Sequence, residues 1–201
     1  MVRDAYLFLI PLAASAALVF LLGLWPFAFL LLLLGLFVIY FFRNPDRIIP
    51  QDPSVIVSPA DGKIVQVIET EGGKRISIFL SIFDVHVNRA PIAGEIIRRE
   101  YRPGRFKLAF SDDASVENEQ IVFTIAGARP LTFSLIAGLV ARRIVTWKEV
   151  GDIVEKGDRL GLIRFGSRAD VFCPSDCEVL VSAGDRVRGG SSVIARWIDL
   201  E

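Results

Sequence analysis

The sequence contains few of the side chains that bind metal ions or form disulfides. Among 201 residues there are one histidine, His86, and two cysteines, Cys173 and Cys177. These three side chains cannot complete an ordinary four-ligand zinc site, so no metal is predicted and the cysteines are interpreted as buried thiols. An excess of charge is also lacking, because 23 Lys and Arg balance 23 Asp and Glu. This balance argues against a nucleic-acid partner.

Charge is also absent from the N-terminal segment, where residues 5 to 42 include no charged side chain. At about 1.5 Å per residue, a helix of this length crosses a bilayer core of about 30 Å nearly twice. Gly23-Leu24-Trp25-Pro26 interrupts the run, so two membrane helices are predicted, Ala5–Leu22 and Phe27–Phe42. The run is too long for a signal peptide, and a buried helix of a soluble core is the remaining alternative.

The arginines around this hairpin predict its orientation. Arg3 precedes the first helix, and Arg43 and Arg47 follow the second. Because positive charges beside membrane helices favour the cytoplasmic side, both ends of the hairpin are predicted to be cytoplasmic. The expected organisation is a membrane-anchoring hairpin, residues 1–42, and a domain on the cytoplasmic side of the cell membrane, residues 43–201.

The chain after Pro50 consists of short β-rich runs separated by turn residues, which predicts a mainly β domain. Strands this numerous and closely spaced favour a sandwich or barrel, since parallel βαβ units need longer helical crossovers. The predicted strands are Val55–Val57, Lys63–Ile68, Arg75–Leu80, Gly94–Tyr101, Glu119–Ile125, Leu131–Ile136, Ile144–Trp147, Arg159–Arg164, Ala169–Phe172, Glu178–Val181 and Val193–Ile198.

A short internal repeat refines this fold prediction. Gly151–Asp158 and Gly184–Ser191 share the pattern G-D-x-V-x-x-G. Glycine permits the positive φ of tight corners and aspartate accepts hydrogen bonds from turn amides, so both segments are predicted as turns between strands. The pattern is similar to that of lipoyl-type domains, and Ala60–Lys63 is a further candidate corner. The predicted fold is a barrel-sandwich-like β domain preceded by a transmembrane helical hairpin.

The dipeptide Gly166-Ser167 lies between two predicted strands. It does not match the G-x-S-x-G elbow of α/β-hydrolases, because no glycine follows Ser167 at the required spacing and no helix pattern follows. Taken by itself, a Gly-Ser pair is typical of any connecting turn.

Gly166-Ser167 is one of several motifs whose order and spacing identify a family. The sequence resembles the phosphatidylserine decarboxylases, most closely their compact form, and the likeness covers nearly the whole chain. The motifs are, in order, Phe42-Arg43-Asn44-Pro45-Asp46-Arg47, Ser58-Pro59-Ala60-Asp61-Gly62-Lys63-Ile64, Phe79-Leu80-Ser81-Ile82-Phe83-Asp84-Val85-His86-Val87-Asn88-Arg89-Ala90-Pro91, Ile136-Ala137-Gly138-Leu139-Val140-Ala141-Arg142-Arg143-Ile144 and Gly161-Leu162-Ile163-Arg164-Phe165-Gly166-Ser167-Arg168.

The resemblance implies a proenzyme that cuts itself between Gly166 and Ser167. Attack of Ser167 Oγ on the Gly166 carbonyl, followed by elimination and hydrolysis, would convert the serine into a pyruvoyl group, a covalently bound pyruvate. The partner products would be a β chain, residues 1–166, and an α chain, residues 167–201. The pyruvoyl group would form a Schiff base with the phospholipid substrate phosphatidylserine, and loss of CO2 would give phosphatidylethanolamine without a metal or an external cofactor.

His86 is the predicted proton-handling residue, because imidazole titrates near neutral pH. A structural histidine on a strand is the alternative interpretation. The resemblance also implies a supporting role for Asp61, whose equivalent in long family members belongs to a Ser-His-Asp relay for self-cleavage. Those members have a second histidine where this chain has Arg89. Arginine cannot act as a base at neutral pH, so Arg89 is interpreted as a contact for the substrate's carboxylate or phosphate.

Two other functions remain open on the sequence alone. A membrane-anchored adaptor or carrier module would use the barrel-sandwich domain without catalysis, and a carrier would display a lysine at a hairpin tip, for which Lys63 is a weak candidate. A serine hydrolase would use Ser167 with His86 and stay uncleaved. The residues do not distinguish diacyl from ether-linked lipid substrates, and they leave a homo-oligomer open.

Overall fold

The structure is a computed structural model that describes residues 1–104, 117–138, 143–164 and 167–198. The chain divides into two compact units, Met1–Asp46 and Arg47–Glu201. Each unit has its own type of secondary structure.

Two apolar helices, α1 (Tyr6–Leu21) and α2 (Trp25–Phe41), form the N-terminal unit. A glycine with a φ of +74°, Gly23, lies in the connection between them, where its missing Cβ allows the sharp turn. Trp25 and Pro26 were predicted in this turn but lie in α2, because proline is tolerated in a first turn that needs no N–H donor. The helical segment from Arg3 to Leu21 is long and apolar enough to cross a membrane, whereas α2 has 17 residues.

The second unit is built almost entirely from β strands, which confirms the mainly β prediction. In chain order, the strands that the structure describes are β1 (Val55–Val57), β2 (Gly62–Thr70), β3 (Gly73–Leu80), β4 (Val87–Arg89), β5 (Gly94–Arg102), β6 (Gln120–Ala126), β7 (Pro130–Ala137), β8 (Ile144–Thr146), β9 (Ile153–Val154), β10 (Arg159–Ile163), β11 (Ser167–Pro174), β12 (Cys177–Val179), β13 (Arg186–Val187) and β14 (Val193–Trp197).

These strands pair into one sheet of eight and two sheets of three. The large sheet has the order β13-β2-β3-β11-β7-β6-β5-β9, and the small sheets have the orders β1-β14-β12 and β4-β10-β8. All of the strand pairings among the described residues are antiparallel. The two G-D-x-V-x-x-G segments each contain a two-residue strand, β9 or β13, at opposite edges of the large sheet.

Strands β1 and β2 resemble β4 and β5 in their contacts, which reveals an approximate two-fold repeat of these segments with an offset of 32 residues. The Val57 N–H donates to Pro91 O at 3.0 Å, and the equivalent Arg89 N–H donates to Pro59 O at 2.8 Å.

Two glycines also occupy equivalent positions in the repeat. Gly62 faces Val187 across β2 and β13, as Gly94 faces Val154 across β5 and β9. Each of these glycines is packed so closely against a neighbouring carbonyl oxygen that a Cβ would collide with it. The first half of the repeat therefore overlays residues 55–64 on residues 87–96.

One apolar core joins the three sheets. Its residues are buried and come mostly from strands of all three sheets, and the rings of Phe123 and Phe133 are stacked with their centroids 5.4 Å apart. Cys173 and Cys177 belong to this core and are free thiols, as predicted. Their mutual hydrogen bond, together with burial, raises the pKa of Cys173.

Candidate active site

The candidate site lies where three strands of the large sheet connect to a small sheet. Strands β3, β11 and β7 are neighbours in the large sheet, and β4, β10 and β8 are neighbours in the same order in the small one. The chain runs from β3 into β4, from β10 into β11 and from β7 into β8, and of these connections the structure describes residues 81–86, 164, 138 and 143. We call this region the sheet crossing. It brings together motifs that are far apart in the sequence.

Ser167 is the first residue of β11, so the strand begins two residues earlier than predicted. It pairs with Leu80 of β3 and with Ala137 of β7. Alternate residues of β11, Ala169 and Val171, are in the core, so the Ser167 side chain faces the core as well. The side chain has no exposure, and its Oγ has no hydrogen-bond partner within the described residues. Gly166 lies outside the residues that the structure describes.

His86 ends the segment that enters the sheet crossing from β3. It is buried, and its Nδ1 lies 3.0 Å from the carbonyl oxygen of Asp84. Because a carbonyl oxygen can only accept, Nδ1 carries a hydrogen, and in the neutral ring Nε2 is then the acceptor. The carbonyl oxygen of His86 accepts from the Ile163 N–H at 3.4 Å. Ile163 is followed in the chain by the segment that leads to Ser167.

Asp84 is a residue of the site that the sequence reasoning missed. Its Oδ2 accepts from both the N–H and the hydroxyl of Ser81, at 2.8 and 2.7 Å, and this closes the loop before His86. Its Oδ1 lies 3.6 Å from Arg186. An aspartate three residues after a serine is a recurrent turn signal, and it could have been recognised in the motif Ser81–Asp84.

Asp61 precedes β2, the neighbour of β3 on the other side from β11. The strands on either side of it, β1 and β2, belong to different sheets, so the candidate corner at Ala60–Lys63 connects two sheets. Its carboxylate accepts from Arg47 Nη2 at 2.9 and 2.8 Å and from the Gly189 N–H at 2.8 Å. Burial raises the pKa of Asp61, and the Gly189 and Arg47 contacts oppose that rise. The observed partners are therefore a nearly buried arginine and a turn amide.

Arg89 and Lys63 have local roles that bear on the earlier predictions. Arg89 Nη1 donates to Gly157 O at 2.9 Å, which ties β4 to the first G-D-x-V-x-x-G segment. Its contact with the substrate stays a prediction. Lys63 lies within β2, paired with Phe79 and Arg186, and not at a hairpin tip. Because a carrier module displays its lysine at a hairpin tip, Lys63 does not support that alternative.

Strand β11 is held in place by a buried polar network on the face opposite to Ser167. Arg168 has no exposure, and its Nε donates to Asp170 Oδ1 at 2.7 Å. Its Nη2 donates to Ser77 Oγ at 2.6 Å and to Gln66 Oε1 at 3.1 Å. Because charge-assisted hydrogen bonds are the strong ones, this network fixes the position of β11 relative to β3 and β2. The sequence reasoning did not identify it.

Comparison with known proteins agrees with the motifs. A sequence profile of the phosphatidylserine decarboxylase family matches residues 34–195. The phosphatidylserine decarboxylase proenzyme of Solibacter usitatus is 50% identical over 189 residues, covering 94% of this chain and 92% of the relative. That of Symbiobacterium thermophilum is 50% identical over 169 residues, covering 80% and 79%, and that of Desulfotalea psychrophila is 47% identical over 171 residues, covering 81% and 80%. The chain belongs to the phosphatidylserine decarboxylase family, which confirms the predicted resemblance.

Proposed function

We propose that this chain is a self-processing enzyme that decarboxylates phosphatidylserine to phosphatidylethanolamine with a pyruvoyl group made from Ser167. Family membership supplies the reaction. The observation that carries the assignment to one residue is the buried hydroxyl of Ser167 at the sheet crossing, which has no hydrogen-bond partner among the described residues. A buried hydroxyl without a partner destabilises a fold, so a functional reason for its retention is expected.

The first step we propose is cleavage of the bond between Gly166 and Ser167. Ser167 Oγ attacks the preceding carbonyl carbon, the C–N bond breaks, and an ester forms. Loss of the Ser167 Cα proton then breaks the Cβ–O bond and releases residues 1–166 as a carboxylate. Water replaces nitrogen in the remaining dehydroalanine, ammonia leaves, and residue 167 ends as a ketone. The core around Ser167 limits access of bulk water to the ester before elimination.

The surroundings of residue 167 fit a pyruvoyl group, because its side chain lies in an apolar interior with no hydrogen-bond partner to be displaced among the described residues. When formed, this group supplies the electrophile that accepts the electron pair left by CO2. His86 would hold and deliver the proton that replaces CO2 on the substrate carbon. The hydrogen bond from Nδ1 to Asp84 fixes the ring so that Nε2 is the proton-transferring atom.

Mass spectrometry of the purified protein tests this function directly. We expect two chains, residues 1–166 and 167–201, with the second lighter than its sequence predicts because a ketone has replaced the amine. The same sample should react with hydroxylamine and release CO2 from phosphatidylserine vesicles. An intact chain that nevertheless decarboxylates the lipid would contradict the mechanism, and a single inactive chain would favour a non-enzymatic role.

We also propose that the apolar helices attach the enzyme to the membrane, with the β unit on the cytoplasmic side. Their hydrocarbon side chains are largely exposed along both helices. Deletion of residues 1–46 should leave a protein that still cleaves itself and turns over a short-chain soluble substrate, but it should lose vesicle binding in a sedimentation assay. The control is the full chain in detergent. Failure of the shortened protein to cleave would show that the helices are needed for the fold.

A further inference from the structure

Asn88 is a buried amide that the proposed mechanism does not use. It is the middle residue of β4, two residues after His86. Its side chain has no exposure, and neither Oδ1 nor Nδ2 has a hydrogen-bond partner within the described residues. A buried amide with both polar atoms unpaired costs stability, because each group has lost water without replacement. Of the described side chains, only Asn88 has two separate polar atoms in this state.

The internal repeat shows what the fold itself would place at this position. With the offset of 32 residues, Asn88 is equivalent to Ile56, which is fully buried in the apolar core. Ile56 pairs with Ala195, whereas Asn88 pairs with Gly161. The same structural position therefore holds an apolar pair, Ile56 and Ala195, in one half of the repeat. In the other half it holds the amide of Asn88 beside Gly161. Packing of the core does not require the amide.

Strand geometry places the Asn88 side chain on the same face as His86. In an antiparallel pair, residues opposite each other point to the same side of the sheet, and alternate residues share a face. Asn88 is opposite Gly161, and His86 is opposite Ile163, a core residue. His86 and Asn88 thus both face the core at the sheet crossing, as Ser167 does on β11. Arg89 is on the other face of β4.

We propose that Asn88 is a catalytic residue whose amide contacts the reacting side chain at position 167. This inference rests on the proposed function. When the Ser167 hydroxyl turns to attack the preceding carbonyl, Oδ1 accepts its hydrogen bond, a contact that is not formed in the described structure of the uncleaved chain. After conversion, residue 167 carries a ketone oxygen, which can only accept, and Nδ2–H donates to it. An amide suits both states because it offers a donor and an acceptor without charge.

The replacement Asn88→Leu tests this role, because leucine has a similar size and matches the apolar character of Ile56. In wild-type background, we expect self-cleavage to slow at least about tenfold, followed as the fraction of intact chain over time on denaturing gels. In Ser167→Ala background, where neither protein can cleave, the same replacement should raise the midpoint of thermal unfolding by about 2–4 °C, because an unpaired buried amide is removed. The opposite signs of the two effects distinguish a catalytic residue from a structural one.

Two controls complete the experiment. Ile56→Leu, at the equivalent position, should change neither cleavage nor stability by comparable amounts. Asn88→Asp keeps an acceptor for the hydroxyl and should cleave faster than Asn88→Leu. Wild-type cleavage rates in Asn88→Leu would overturn the proposal, as would a lower unfolding midpoint in the Ser167→Ala background. If the wild-type chain itself does not cleave, the proposed function fails rather than this assignment alone.

Discussion

Replacement of Ser167 by alanine should leave the protein as one chain of 201 residues, whereas the wild type should give chains 1–166 and 167–201. The methyl group of alanine has no oxygen to attack the preceding carbonyl, so the first covalent step cannot occur. Decarboxylation should be undetectable in the same variant, because no ketone forms. Denaturing gels and intact mass report the first effect, and CO2 release from phosphatidylserine reports the second.

A second buried serine provides the matched control for this prediction. Ser134 lies on β7, opposite Asp170, and is as buried as Ser167. Ser134→Ala should cleave normally, since its hydroxyl belongs to the opposite face of the sheet. Ser167→Thr should cleave more slowly and leave a ketone heavier by one methylene. Cleavage of the Ser167→Ala protein between residues 166 and 167 would refute the assignment of the nucleophile.

Replacement of His86 by alanine should lower the rate of decarboxylation by about 10²–10⁴-fold, the usual contribution of positioned acid–base catalysis. The reason is that Nε2 transfers the proton in the proposed mechanism, because Nδ1 is held by the carbonyl oxygen of Asp84. The rate is measured with phosphatidylserine vesicles and normalised to the amount of cleaved chain. Normalisation matters because a variant that fails to mature would also appear inactive.

Maturation of the His86→Ala protein separates two mechanisms. Accumulation of intact chain would show that His86 also activates Ser167, whereas normal cleavage with lost turnover would restrict it to the substrate. In the second case Asp61→Asn becomes informative, because it removes the carboxylate charge that pairs with Arg47 while changing the shape little. Full cleavage and full turnover in His86→Ala would contradict a catalytic role for His86 and would favour a structural one.

Much of the β unit was predictable because its longer strands have strong local signals. Runs such as Arg75–Leu80 and Leu131–Ile136 combine β-branched residues with clear boundaries, and the structure extends each by two residues or fewer. Strands β4, β9 and β13 were missed, because a run of two or three residues is too short to show the alternating hydrophobic pattern of a strand. These strands are defined only by the strands with which they pair. The 32-residue repeat was missed as well. Only four of its ten residues recur, namely Val55, Pro59, Gly62 and Ile64.

The candidate site was harder to predict than the fold because its residues converge through strand pairing. Sequence motifs identified His86 and Ser167, but their common location depends on the sheet crossing, which no local pattern encodes. Arg89 was singled out because it stands where long family members have a second histidine, and its charge suggested a contact with the substrate. Alternation along β4 would have placed Asn88 with His86, but it required knowledge that this three-residue segment is a strand.

The place of β11 in the large sheet has a consequence for the lifetime of the mature enzyme. In the proposed mature enzyme this strand would belong to the short chain, yet it would remain between β3 and β7 of the long chain, and β13 and β14 would stay paired with β2 and β1. The short chain therefore cannot leave without unfolding of the sheet. Once unfolded, the two pieces would have to find each other by diffusion and rebuild an interleaved sheet. The mature enzyme should lose activity permanently on heating, so its durability is governed by its unfolding rate and the chain folds productively only once.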